Sequence, residues 1–335
     1  MARICVLGAG SWGTALAVLL VSNGHELTLW SHNRDQVLYL RQNACNESKL
    51  PGIRLPDAIS YSDCLEEAVS GKDLLVFAVP SRASRETAMK IRGLIPPGQK
   101  ILCVSKGIEE KTLFRQTQIL EDVLDHVLTA ELSGPSHAEE VVRQIPTLVV
   151  AASRDRAFAL WIQEIFMNAS FRVYASPDLI GVEIGGSLKN VIALAAGMSD
   201  GLGYGDNSKA ALITRGITEI TRLAVAMGAR EETMAGLSGI GDLIVTCQSM
   251  HSRNRMAGYY IGQGWSVEEA MDRVKMVVEG VYSAKAALAL GRKYRVDLPI
   301  IEQVNRVLFE KMDAREAVLA LMCREKKAEM EDSSW

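Results

Sequence analysis

The stretch Ile4-Cys5-Val6-Leu7-Gly8-Ala9-Gly10-Ser11-Trp12-Gly13-Thr14-Ala15-Leu16-Ala17 decides the fold. Residues 4–7 have the apolar character of a buried strand, and residues 14–23 read as a helix. Between them stands G-x-G-x-x-G, in which each glycine has a mechanical reason. Gly8 permits the tight turn, Gly10 lets a pyrophosphate approach the backbone, and Gly13 lets the helix pack close to the strand. The helix start presents unpaired N–H groups and the positive end of its dipole, which suit phosphate. Strand, turn and helix in this order near the N-terminus predict dinucleotide binding.

Outward from that unit, runs at 26–30, 74–79, 101–104, 147–151 and 171–174 read as strands. The stretches 34–43, 64–69, 85–94 and 114–128 read as helices between them. Strands apolar throughout and separated by helices predict a parallel sheet covered on both faces. Gly24 and Gly71 follow helices, where a left-handed residue ends the last turn. Beyond Ser176 the pattern changes. Residues 185–198, 209–227, 267–274 and 283–290 read as helices, and no strand alternation recurs. Ser176 and Pro177 read as the N-cap and first-turn proline of a new helix. The fold class expected is an α/β Rossmann-type doubly wound sheet over residues 1–176, an all-α domain over 177–330, and a tail over 331–335. The charged stretch 324–335 is expected to fray.

The strand at 26–30 leads into Ser31-His32-Asn33-Arg34. An NAD-selective site carries a carboxylate there to hold the ribose 2′-hydroxyl. This chain offers none before Asp35, whereas His32 and Arg34 suit a 2′-phosphate, so NADPH is the favoured cofactor with NADH retained. The alternative is that Arg34 only starts a solvated helix. Ligands of open α/β sheets bind at the carboxyl ends of strands. That places Lys106, in Ser105-Lys106-Gly107, to reach a phosphate or substrate oxygen, unless it is an ordinary surface lysine. Ser133-Gly134-Pro135-Ser136-His137-Ala138 follows a further apparent strand and offers the pocket another turn or helix start.

In the second half, Gly185-Gly186-Ser187-Leu188-Lys189-Asn190-Val191 opens a helix rich in small residues. Lys189 has only Gly185, Gly186, Ile192 and Ala193 at helical-neighbour spacing, so it must snorkel to solvent or find a partner elsewhere. The glycine-dense stretch 197–207 reads as a turn ending that helix. Residues 236–242, closing on Asp242, are either a phosphate-binding loop or an ordinary bend. In His251-Ser252-Arg253-Asn254-Arg255, Ser252 reads as an N-cap. A guanidinium beside helix-start N–H groups suits a phosphate monoester.

The 335 residues suggest about two domains. With 48% hydrophobic and 23% charged residues, the disordered and fibrous classes are excluded. A net charge of −3 argues against a broad nucleic-acid or anionic-lipid footprint. The six cysteines are scattered, and His25, His126 and His251 lack companions at ligand spacing, so neither a disulfide framework nor a metal centre is indicated. Cys5 and Cys103 read as small core residues. No run reaches the ~18 apolar residues of a membrane span, and a strand begins at once, leaving no room for a signal peptide. A cytoplasmic location is expected.

Taken in order, several segments closely resemble the NAD(P)-dependent glycerol-3-phosphate dehydrogenases of bacterial type. They are the glycine fingerprint with Ser11-Trp12, the strand end 74–80, Ser105-Lys106-Gly107, Ser133-Gly134-Pro135-Ser136, the signature 186–207 and residues 239–254. The resemblance covers about residues 3–320. Ser187 departs from the Ala or Thr more often found there, but a small residue is kept. The resemblance implies reversible NAD(P)H-dependent reduction of dihydroxyacetone phosphate to sn-glycerol 3-phosphate, supplying the glycerophospholipid backbone, with the helical half binding the substrate; a homodimer is expected, although nothing in the residues fixes the oligomeric state. It implies that Lys189 is the proton donor and acceptor at the substrate oxygen and that Lys106 touches both cofactor and substrate. Gly134, Ser136, Asp242, Ser252, Arg253 and Asn254 would complete the substrate pocket. Ser11, Trp12, His32, Ala138, Arg253, Val277 and Glu279 would touch the cofactor. The competing readings are a 3-hydroxyacid or 6-phosphogluconate-type dehydrogenase, which shares the layout and a catalytic lysine, and a nicotinamide-binding sensor without turnover.

Overall fold

In the computed structural model, which describes residues 1–326, 328 and 329, the first half of the chain contributes ten strands. They are β1 (Arg3–Leu7), β2 (Glu26–Trp30), β3 (Cys45–Asn46), β4 (Leu50–Arg54), β5 (Ile59–Ser62), β6 (Leu74–Phe77), β7 (Lys100–Cys103), β8 (Leu128–Ser133), β9 (Thr147–Ala152) and β10 (Phe171–Ser176). β3 and β4 make a separate antiparallel hairpin, and the other eight form one sheet in the order β10-β9-β8-β7-β6-β1-β2-β5. The covering helices are α1 (Ser11–Ser22), α2 (Arg34–Asn43), α3 (Leu65–Val69), α4 (Ser84–Ile91), α5 (Gln116–Val123), α6 (Ala138–Val141) and α7 (Arg156–Phe166). Alternate residues of the central strands bury on opposite faces. Ile4, Val6, Leu74 and Val76 join one core, and Cys5, Leu7, Leu75 and Phe77 the other. That two-sided burial is why these strands are apolar throughout.

The sheet departs from the expected all-parallel arrangement at β9, which runs antiparallel to β8, with Glu131 opposite Ala152 and Ser133 opposite Val150. A parallel return would need a crossover helix long enough to carry the chain back along β8. The four residues of α6 span only about 6 Å against about 20 Å of strand. The sequence reading also missed β5, an edge strand whose Ile-Ser-Tyr-Ser is half polar because β2 is its one neighbour in the sheet.

From Leu179 onward the described chain is helical: α8 (Leu179–Gly201), α9 (Asp206–Ala226), α10 (Glu231–Met234), α11 (Asp242–Gln248), α12 (Arg253–Gly262), α13 (Val267–Val274), α14 (Glu279–Tyr294), α15 (Pro299–Phe309) and α16 (Ala314–Met322). A π-type turn, Leu237–Gly241, precedes α11. The expected Ser176 cap is corrected. Asp178 caps α8 by accepting from the Gly181 N–H at 2.9 Å, while Ser176 Oγ accepts from Asp178 N, leaving Pro177 outside the helix. The same carboxylate takes Arg230 N and Thr233 Oγ1, so the cap is also a tie to α10.

Helix α8 is buried on nearly every side, with α9, α11, α12 and α14 packed around it. Its glycines were expected to end the helix from residue 197, but the helix continues to Gly201. A Cβ on Gly197 would lie 2.0 Å from the Arg255 carbonyl oxygen, and one on Gly258 would lie 2.1 Å from that of Leu194. The small residues therefore let α8 and α12 cross in backbone contact; the turn itself is confined to residues 202–205. The tail beginning at Arg324 lies partly outside the described residues, and Arg324 pairs with Asp297 at 2.6 Å.

Candidate active site

The glycine turn forms one end of a cleft of about 440 Å³ between the sheet and the helical half. Gly8 holds φ +120°, and a Cβ there would lie 2.6 Å from the Ala78 carbonyl oxygen. A Cβ on Gly13 would lie 1.9 Å from the Gly8 oxygen, whereas one on Gly10 would meet nothing within 4 Å, so Gly10 faces open space. Gly10 caps α1 without a side chain, and the first turn carries no acidic residue, which leaves N–H groups and the dipole for an anion. The loop is held from behind. Asn46 donates to the Ala9 carbonyl and to Thr14 Oγ1, Gln36 donates to the same carbonyl, and Ser11 donates to the Lys49 carbonyl. The indole N–H of Trp12 is buried without a hydrogen-bond partner among the described residues. This cradle fits a dinucleotide pyrophosphate.

At the end of β2, Asn33 caps α2 by accepting from Gln36 N at 3.1 Å, and His32 lines the cleft. Arg34 does not line it. Its side chain is 81% exposed and stands 3.8 Å from Asp63. Of the two residues read as 2′-phosphate donors, only His32 is in the cleft wall.

Opposite the glycine turn, three titratable groups from distant segments converge. Ser105 anchors the end of β7 by donating to the Phe77 and Val79 carbonyls, which aims Lys106 across the cleft. Lys106 Nζ donates to Asp242 Oδ2 at 2.7 Å and to the Gly134 carbonyl at 3.2 Å. Lys189, on α8 and 7% exposed, ion-pairs with the other Asp242 oxygen and donates to Thr246 Oγ1 at 2.8 Å. The lysine without a local partner thus finds one 53 residues away. Thr246, one turn beyond Asp242, donates its own proton to the Asp242 carbonyl at 2.6 Å. The segment 236–242 acts as a bend. A Cβ on Gly185 would lie 2.4 Å from the Ser238 oxygen, so the turn is pressed onto α8 and delivers Asp242.

Burial pushes the Lys189 ammonium down to about 7; the nearby charge of Lys106 acts in the same direction and Asp242 opposes both. At neutral pH the amine is therefore populated in both protonation states. On the far wall Ser252 caps α12 by accepting from Arg255 N, and Arg253 opens toward the cleft. Asn254 donates to Asn190 on α8 and accepts from Gly280 N on α14, locking three helices. Glu279 accepts from the Ser81 N–H at 3.1 Å and from its hydroxyl, and burial raises its carboxyl above the ordinary range.

Gly8, Gly10, Ser11, Trp12, His32, Lys106, Ser136, Ala138, Lys189, Ser252, Arg253, Asn254, Val277 and Glu279 all line this one cleft. Gly13 lies beneath the turn, Gly134 and Asp242 stand behind the lysines, and Arg34 faces solvent. Sequence reading missed Asn190, Thr246, Gln36 and Lys49. Thr246 carried a usable signal, since it follows Asp242 at helical spacing; Lys49 carried none, because the β3–β4 hairpin that brings it to the cleft was not foreseen.

Two family models match the chain, described as NAD-dependent glycerol-3-phosphate dehydrogenase N-terminus over residues 3–159 and C-terminus over residues 178–319. A protein of Agathobacter rectalis named glycerol-3-phosphate dehydrogenase (NAD(P)+) is 56% identical over 335 residues, covering all of both chains. One of the same name from Fusobacterium nucleatum is 56% identical over 337 residues, again with full coverage of both. Among solved structures, the glycerol-3-phosphate dehydrogenase of Coxiella burnetii superposes with a TM-score of 0.94 at 38% identity, covering 96% of this chain and 99% of that one.

Proposed function

The chain belongs to the NAD-dependent glycerol-3-phosphate dehydrogenase family, and from that premise we propose that it interconverts dihydroxyacetone phosphate and sn-glycerol 3-phosphate with an NAD(P) cofactor, using Lys189 as the proton donor and acceptor. The observation that carries the mechanism is the buried Lys189 at the cleft, paired with Asp242 and held near neutrality. When bound, the nicotinamide cofactor supplies the hydride that reduces the carbonyl carbon. Negative charge then grows on the substrate oxygen, and the Lys189 ammonium stabilises it and donates the proton, worth about 10²-fold or more. In the reverse direction the neutral amine accepts that proton. Asp242 and Thr246 fix the amine's position, and Lys106 adds a second positive charge from the other side.

Arg253 and the N–H groups that open α12 would hold the substrate phosphate, so binding energy remote from the carbonyl orients the reacting carbon. Gly134 and Ser136 would complete the substrate wall. Gly8, Gly10 and the α1 N-terminus would take the pyrophosphate, with Gly13 packing beneath. Trp12, Ser11, Ala138, Val277 and Glu279 would line the remainder of the cofactor site. His32, without a carboxylate at the end of β2, supports a preference for NADPH, with Arg34 contributing from solvent. Production of glycerol 3-phosphate for phospholipid synthesis in the cytoplasm is the physiological setting we assign. We assign a homodimer; the exposed Leu319 (61%) and Met322 (78%) of α16 are the apolar side chains it could cover.

The test is loss of nicotinamide absorbance with dihydroxyacetone phosphate as substrate and NADPH or NADH supplied separately. Rapid oxidation, faster with NADPH, is expected. Folded protein that oxidises neither cofactor refutes the assignment, and equal rates refute the preference.

A further inference from the structure

His137 is the residue before α6, and its ring enters the cleft on the side of Ser252 and Arg253, a position the proton-transfer chemistry above does not use. Its Nε2 is buried and meets no hydrogen-bond partner among the described residues. A buried ring nitrogen without a partner is a free-energy cost that a ligand can remove. Its ring lies 5.8 Å, centroid to centroid, from that of His251, which immediately precedes the α12 cap. Two imidazoles therefore flank the helix start and guanidinium that would receive a phosphate.

We propose that His137, with His251 beside it, is a proton-coupled ligand of the substrate's phosphate: Nε2–H donates to a phosphate oxygen, and binding places a second proton on the ring. The proposal rests on the reaction assigned above and names a residue that would set affinity for its phosphorylated substrate.

The charges around the ring fix the direction of the coupling. Glu139 and Glu140 follow it in its own segment, Lys189 faces it from α8, and Asp242 faces it from α11. Lys49, His251 and Arg253 line the same cleft. In the free protein, burial first and Lys189 second hold the imidazole below its ordinary range, with the three carboxylates opposing them, so it is neutral at pH 7. A phosphate dianion at hydrogen-bond distance favours the imidazolium and reverses that balance. Binding must then take up a proton, and affinity falls as pH rises through the titration of the bound-state ring. A neutral ring left facing the dianion could point either nitrogen's proton outward, but only the charged form serves the phosphate and leaves its other N–H available as well.

Calorimetric titration of sn-glycerol 3-phosphate into the enzyme holding NADPH, an unreactive pair, tests this in two buffers of different ionisation enthalpy at pH 7.5. The native enzyme is expected to take up protons. His137→Phe should take up clearly fewer, the remainder coming from Lys189, which titrates at about 7 in the same cleft, and should raise KM for dihydroxyacetone phosphate by about tenfold or more, with kcat falling less. His137→Gln keeps a donor without a titratable charge, so its KM should stay closer to that of the native enzyme while proton uptake falls as far as in His137→Phe. If native enzyme turns over dihydroxyacetone phosphate and His137→Phe matches it in KM and proton uptake, the role of His137 is overturned and the reaction stands. Should His137→Phe fail to fold, proton uptake in His137→Gln equal to that of the native enzyme overturns it equally. Native protein that neither turns over the ketone nor binds the ester overturns the reaction itself.

Discussion

Replacing Asp242 with asparagine removes a negative charge that faces two ammonium groups while keeping the side chain's shape. One oxygen is 2.7 Å from Lys106 Nζ, and the other is bonded to Lys189. At an effective dielectric near 20, opposite unit charges about 4 Å apart attract by ~4 kcal/mol. Each 1.36 kcal/mol corresponds to about one pH unit of titration, so the Lys189 ammonium should lose its proton up to about three pH units earlier. In the native enzyme the amine titrates at about 7. Reductive kcat/KM, which needs the ammonium, should therefore fall above that pH by about tenfold per unit. Oxidative kcat/KM, which needs the neutral amine, should fall below it with the same steepness. In Asp242→Asn both limbs move acidward, so reduction at pH 7 drops by about 100-fold or more while oxidation retains its base. The assay is kcat/KM in both directions from pH 5 to 9, with melting temperature recorded because a broken buried pair costs about 3–5 kcal/mol. A folded variant whose reductive limb stays where the native one lies refutes the reasoning.

Gly10→Ala should leave stability within about 1 kcal/mol, because its Cβ enters open space, yet weaken cofactor binding measured by quenching of tryptophan fluorescence. Gly13→Ala, whose Cβ would overlap the Gly8 oxygen, should lose about 3 kcal/mol or more in urea denaturation; equal stability of the two variants contradicts this geometry. Glu219 accepts from Ile300 N and Ile301 N at the start of α15, and burial raises its carboxyl to about 7. A raised folded-state value means its stabilisation is complete at low pH and is lost as pH climbs toward 7. Glu219→Gln should thus gain up to about 3 kcal/mol over the native protein at pH 8 and little at pH 5; a pH-independent difference in melting temperature would count against it. His32→Ala should raise KM for NADPH by about fivefold with a smaller effect on NADH, and Arg34→Ala should do so more weakly from its exposed position. Equal effects on the two cofactors would sink the 2′-phosphate role.

Local pattern was enough wherever local forces decide. The glycine turn, β2 at Glu26–Trp30, α2 at Arg34–Asn43 and α13 at Val267–Val274 have the bounds that periodicity and capping assign them. Where tertiary contact decides, the sequence was silent or misleading. The glycines at 197 and 201 look like helix breakers until α12 is seen lying against them. The polar edge strand β5 has too little apolar alternation to register, and nothing in residues 45–54 announces a hairpin that brings Lys49 to the cleft. At the site, Lys189 announced itself by lacking a local partner. Its pairing with Asp242, and the buried pairing of Glu183, on the same helix as Lys189, with Arg115 before α5, join residues more than 50 positions apart and are visible only in three dimensions.

The burial of α8 has a further consequence for the chain as it leaves the ribosome. Leu179–Gly201 is 23 residues long, with a window of mean hydropathy 1.4, and by length and composition it passes for a membrane-crossing segment. Lys189 stands at almost the middle of that stretch. An ammonium at the centre of a lipid-crossing helix costs about 2.5–3.5 kcal/mol on insertion scales, and Glu183 adds a second ionisable group a turn and a half away. The residue assigned to proton transfer thereby also biases the nascent helix away from the bilayer, toward the helices that will enclose it.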